Sequence, residues 1–95
     1  MQTVRQQIIS LLQEGDFNAR EISQALSVME KEVYGHLGHI ERSLGGQGMK
    51  LVVAPYTCLR CGYAFASRQR WSRPGRCPAC RQGHIRLATY RIVAL

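Results

Sequence analysis

Ninety-five residues bound the chain to one ordinary domain or two very small ones, and an apolar content of 45% fits a folded protein rather than a disordered one. No apolar run approaches the roughly 20 residues that cross a bilayer, so a membrane-spanning helix is excluded and a soluble chain is expected. The formal charge of +7 hides an asymmetry: residues 1–50 hold five cations and six acids, a net −1, whereas residues 51–95 hold eight arginines and no acid, a net +8.

The first half reads as three helices. Val4, Ile8, Leu11 and Leu12 recur at helical spacing and Gly15 ends the run. Gly15-Asp16-Phe17 then forms a turn into Asn18, a candidate N-cap with Glu21 three residues on, and Ala19, Ile22 and Leu26 mark the second helix. Ser27 with Glu30 gives a capping-box signature for a third helix, whose buried face is Val33, Leu37, Ile40 and Leu44. Gly45-Gly46-Gln47-Gly48 stops it. Two short helices joined by a tight turn after a supporting helix suit a helix-turn-helix; helical interaction bundles share the same pattern.

Leu51-Val52-Val53-Ala54 is a short β-rich run fit to begin a wing, and Thr89-Tyr90-Arg91-Ile92-Val93 either pairs with it or closes the second half. Pro55 marks the boundary, giving a domain at 1–54 and another at 55–95.

Cys58, Cys61, Cys77 and Cys80 are all the cysteines in the chain and follow C-x2-C-x15-C-x2-C. Each pair makes a tight turn that aims two thiolates at one point, and the 15-residue spacer lets the two points meet as a tetrahedron around one Zn²⁺. A disulfide framework belongs to a secreted chain, and Met1–Gln7 has no apolar signal core; a redox C-x-x-C accounts for one pair and not two. Reduced cysteines imply a reducing compartment, and a cytoplasmic location is expected. Tyr63, Phe65, Ile85 and Leu87 alternate as half-buried strands do, so residues 55–95 read as a zinc ribbon. Gly62 supplies positive φ after the first cysteine pair, whereas Arg81 occupies the matching place after the second. A segment this small lacks a self-sufficient core, and four thiolates leave no open coordination position, so the metal is structural. The expected fold is α+β: a winged helix-turn-helix followed by a four-cysteine zinc ribbon.

The run Pro55-Tyr56-Thr57-Cys58-Leu59-Arg60-Cys61-Gly62-Tyr63, an arginine-rich stretch, then Pro74-Gly75-Arg76-Cys77-Pro78-Ala79-Cys80 and a closing strand resembles small prokaryotic transcriptional regulators in which a helix-turn-helix is fused to a zinc ribbon. That resemblance implies metal ligation by the four cysteines and DNA binding by the helical half.

On the third helix, Lys31, Gly35, Gly38 and Arg42 lie opposite the Val33 face, flanked by Tyr34 and His39. In a helix-turn-helix this stripe enters the major groove, with Lys31, Tyr34, His39 and Arg42 reaching phosphates or bases. Each interior glycine costs roughly 1 kcal/mol relative to alanine, so two on one face ask for a cause: close approach to DNA or to a second helix in a homodimer. Glu30 and Glu32 oppose the DNA reading by repelling phosphate. The segment Ser67–Arg76 offsets them with Arg68, Arg70, Arg73 and Arg76 around Trp71, which either lids the ribbon core or stacks on an unpaired base. His36 and His39 sit three apart with no third ligand evident, and His84 lies near the second cysteine turn, where four thiolates already complete the zinc.

No catalytic triad, P-loop or dinucleotide fingerprint occurs, so a non-enzymatic role is expected. The reading is a DNA-binding transcriptional regulator acting on double-stranded DNA. Two alternatives stand beside it: an adaptor whose ribbon docks on an acidic protein partner or RNA polymerase, and a zinc or redox sensor.

Overall fold

Thr3 opens the first helix. Its hydroxyl accepts from the Gln6 amide at 3.1 Å while the Gln6 side chain accepts from the Thr3 amide at 2.9 Å, a reciprocal cap that satisfies two free donors. Helix α1 (Val4–Glu14) follows, burying Ile8 and Leu12. The computed structural model describes residues 2–67 and 70–95. Asn18 and Glu21 form the same reciprocal cap, at 2.8 and 2.9 Å, and start α2 (Ala19–Leu26) as expected. Between the two helices Phe17–Asn18 is a short strand, β1, where the sequence reads only a turn.

The expected capping box of the third helix does not form. Ser27 instead closes α2 in the left-handed region at φ 55°, and its amide and that of Val28 both bond back to the Ser23 carbonyl. Helix α3 (Glu30–Leu44) starts from Met29, which has no capping side chain. The serine was claimed by the preceding helix because an αL residue there satisfies the end carbonyls of α2. The expected inner face holds: Val33, Leu37, Ile40 and Leu44 are fully buried.

A single turn of 3-10 helix at Gly45–Gln47 and Gly48 at φ 71° reverse the chain into β2 (Met49–Ala54). Two further short strands, β3 (Thr57–Cys58) and β4 (Ile85–Arg86), pair with each other, and β5 (Thr89–Ala94) ends the chain. Tyr63 and Phe65 are not in a regular strand. They flank Ala64, which bridges to Thr57, and their rings meet edge to face at 5.0 Å.

Strand β5 is central in a three-stranded antiparallel sheet of order β1-β5-β2. It pairs with Phe17 and Asn18 on one side and with all of β2 on the other, from Met49↔Ala94 to Ala54↔Thr89. The helices and this sheet share one core, in which Ile8, Leu12, Ile22 and Leu37 meet Tyr90 and Ile92. Thr89–Ala94 therefore belongs with the helices, and the division at residues 54 and 55 cuts across the sheet. Because Ala54 and Thr89 are paired partners, residues 55–88 leave and return at one end of a β2–β5 hairpin. The cysteine-bearing segment is an insertion in that hairpin. Among the described residues no helix is long and apolar enough to cross a membrane.

Candidate metal centre

The two cysteine turns are built alike. Cys58 and Cys77 each donate a backbone amide to the carbonyl five residues on, Tyr63 at 2.8 Å and Gln82 at 2.9 Å. Each also accepts from the amide four residues on, Gly62 at 2.9 Å and Arg81 at 2.8 Å. Those fourth residues adopt positive φ, 79° at Gly62 and 63° at Arg81. Glycine takes that conformation freely, but arginine carries a Cβ into it. The expectation that the second turn departs from the first is met in sequence and not in geometry. Arg81 is bent to the shape the turn needs.

These turns, braced by β3 pairing with β4 and by the Leu59 amide on the His84 carbonyl at 2.9 Å, bring the four sulfurs together. All lie within 4.8 Å of one another; Cys58 and Cys80 are 3.5 Å apart, as are Cys61 and Cys77. Tetrahedral coordination by thiolates with bonds of about 2.3 Å places sulfurs about 3.8 Å apart, so the cluster fits one metal ion. The first cysteine of each pair is buried and the second reaches outward, to an exposed position at Cys61 and an intermediate one at Cys80. No disulfide joins them.

The thiols of Cys58 and Cys61 are shifted in opposite directions. The Cys61 and Arg60 amides point at the Cys58 sulfur and, against desolvation, hold its thiol down to about 6. At Cys61 the Tyr63 amide acts in the same direction, but desolvation and the sulfurs of Cys77 and Cys58 outweigh it and push that thiol up to about 12. One site readily ionises while its neighbour resists. Four thiolates in this space need a positive ion among them.

The residues singled out for nucleic acid divide into three groups. Lys31, His39 and Arg42 are exposed on α3, with His39 Nδ1 3.3 Å from Arg42 Nη2. Gly35, on the same face, would place a β-carbon in open space. Arg70 and Arg76 are exposed on the insertion, and Arg68 lies outside the described residues.

Tyr34 and Arg73 are engaged within the chain. Tyr34 is half-buried against the core and its hydroxyl donates to Glu30 Oε2 at 3.4 Å. The Arg73 guanidinium donates to Glu30 Oε1, so the insertion neutralises one of the two acids at the start of α3. Trp71 is neither a ribbon lid nor an open platform. Its Nε1 sits 3.3 Å from where a β-carbon on Gly38 would stand, and its ring lies 5.9 Å from that of Tyr90. The Tyr56 hydroxyl donates to the Trp71 carbonyl at 2.7 Å.

Glu30, Tyr34 and Gly38 thus form a stripe, four residues apart, covered by the insertion. The adjacent stripe carrying Lys31, Gly35 and Arg42 stays open. Gly38 was grouped with the outer face because helical angle alone places it near the boundary between the two stripes. No sequence signal identifies Trp71 as its neighbour. His36 is half-buried and His84 is exposed, and neither joins the sulfur cluster.

Residues 3–52, from the cap of α1 into β2, match the family described as PF0610-like, N-terminal. A search of curated proteins gives no match. The solution NMR structure of protein PF0610 from Pyrococcus furiosus is similar to this chain with a TM-score of 0.78 and 26% sequence identity, over 97% of this chain and 90% of that one. The structural likeness therefore takes in the insertion as well as the helices, while the family match itself spans more than half of the sequence. On that match the chain belongs to the PF0610-like family.

Proposed function

We propose that the protein is a non-catalytic DNA-binding transcriptional regulator, with α2 and α3 as a helix-turn-helix, α3 as the recognition helix and the metal-bearing insertion in place of a wing. The observation that carries this reading is the division of α3 into stripes. The insertion covers Glu30, Tyr34 and Gly38, yet leaves Lys31, Gly35, His39 and Arg42 open. The order of elements supports it: a strand between α1 and α2, then α3, then a β2–β5 hairpin, is the order of a winged helix, and the insertion occupies the hairpin tip where a wing would be.

Zn²⁺ is the cation we assign to the four thiolates, in a closed structural role with no position for substrate. Reduced thiolates fit the cytoplasm. Exposed Arg70, Arg76, Arg81 and Arg86 supply long-range attraction to phosphate, and Lys31 and Arg42 supply contacts in the groove.

Fluorescence anisotropy with duplex DNA at low and moderate salt tests the reading, using zinc-loaded protein. Binding that weakens as salt rises, and that Lys31→Ala and Arg42→Ala each reduce, is the expected result. Absence of binding at low salt would sink it. A second reading then takes its place, supported by the first cysteine turn: Leu59 at its tip is 66% exposed and Tyr63 is 38% exposed. An exposed apolar tip beside Arg60, in a half of the chain without acids, suits a protein partner with an acidic surface.

A further inference from the structure

A cleft of about 490 Å³ opens where the insertion meets the helices and sheet. Its walls come from both parts. Glu41 belongs to α3, Tyr90 to β5, and Tyr56, Phe65, Arg70 and Trp71 to the insertion. The volume lies within the roughly 300–1,000 Å³ usual for small-molecule sites.

Four of these six residues are aromatic, and they are held in place before any ligand arrives. Trp71 is fixed from three directions: its carbonyl accepts from Tyr56, its indole nitrogen rests on Gly38, and its ring tilts against that of Tyr90. Burial raises the hydroxyl pKa of both Tyr56 and Tyr90 above the ordinary tyrosine value, so both stay neutral at physiological pH. Two charged groups stand at the cleft, Arg70 and Glu41. Among the described residues neither has an ion-pair partner, although Arg73 and Arg91 each have one. The arginine belongs to a half of the chain that contains eight arginines and no acid, so the field over the insertion side is positive.

We infer that this cleft binds a planar aromatic molecule bearing one anionic group, with the ring among Trp71, Tyr56 and Phe65 and the anion on Arg70. Aromatic walls favour a flat ring through stacking and edge contacts, and the guanidinium fork favours a carboxylate or phosphate. A hydrogen-bond donor on the ring would meet Glu41. A nucleoside monophosphate and an aromatic carboxylic acid share this chemistry. The site is independent of whether α3 contacts DNA, since neither Lys31 nor Arg42 lines it.

The chain has one tryptophan, so one indole N–H resonance reports on the cleft wall. Zinc-loaded, ¹⁵N-labelled full chain is titrated with adenosine monophosphate and with benzoate, each beside its neutral twin, adenosine or benzyl alcohol. A saturable shift of the Trp71 indole signal by at least one anion is expected, with the neutral twin about tenfold weaker or more. A response to the nucleotide alone, or to benzoate alone, identifies the source. Arg70→Gln should weaken the anion about tenfold and leave the neutral twin unchanged. Ala66→Trp, which fills the cleft from its exposed rim, should abolish both. The inference is overturned if neither anion gives a saturable shift in the millimolar range, if anion and twin bind equally, or if the plugged variant binds as the wild type does.

Discussion

The indole of Trp71 rests directly on the backbone of Gly38, its Nε1 only 3.3 Å from the place a β-carbon would occupy. Gly35, one turn earlier, meets nothing within 4 Å. Two glycines in one helix therefore do different things, and substitution should separate them. Gly35→Ala should raise stability by about 1 kcal/mol, the ordinary helix gain. Gly38→Ala should gain little, since the methyl must displace the indole by a few tenths of an ångström. Gly38→Leu should lose about 1–3 kcal/mol and expel Trp71, seen as a red shift of its emission during urea unfolding. An equal gain from alanine at both sites would show that Trp71 does not pack here.

Ser27 and Arg81 are the described non-glycine residues at positive φ, at 55° and 63°. A non-glycine residue in this region costs on the order of 1–3 kcal/mol, partly offset by the extra freedom glycine has in the unfolded chain. Ser27→Gly should therefore raise the melting temperature of the whole core, with a gain of about 0.5–1 kcal/mol. Arg81→Gly should tighten metal retention in a chelator competition, because its strain lies in the cysteine turn. Arg81→Ala should give no such gain.

Removal of the metal should melt residues 55–88 and spare the sheet. The insertion buries few apolar side chains of its own, chiefly Tyr56, Cys58, Cys77 and Ala88, so an ion held by the cysteines would supply much of its stability. Strand β5 instead pairs along its whole length with β2 and packs on α1. After chelation, or in Cys77→Ser, hydrogen exchange should accelerate at the Cys58, Gly62 and Arg81 amides while amides of the β2–β5 ladder keep their protection. Loss of protection at Leu51 and Ile92 together with the cysteine turns would show one cooperative unit.

Arg73 is paired with Glu30, whereas among the described residues Arg70 and Arg76 have no ion-pair partner. If the insertion contacts duplex DNA, each phosphate contact adds about 0.9 to the magnitude of the slope of log affinity against log salt. Arg76→Gln should flatten the slope by about that amount, and Arg73→Gln by much less. Glu30→Gln should release Arg73 and steepen it. Equal effects at positions 73 and 76 would contradict the ion pair as a brake on Arg73.

The sequence by itself determined the three helices, their buried faces, the Asn18 cap and the clustering of the four cysteines. Those features rest on local periodicity, on capping within four residues and on the spacing of cysteines, all of which are short-range. Ser27 was legible as a cap but for the wrong helix, because one serine can end α2 or begin α3 and local chemistry does not choose. The partners of β5 were decided only in three dimensions: strand pairing depends on which hydrophobic face is left open, and both candidate arrangements satisfied the same alternation. That pairing makes the cysteine segment an insertion and not a tail. It carries Arg73 to Glu30 across 43 residues and Trp71 to Gly38, contacts that follow from the path of the folded chain and leave no trace in residue spacing. The cysteine cluster was readable because two tight turns encode it; which arginines stay open was not, because burial of one side chain by a distant segment is a property of the packed molecule.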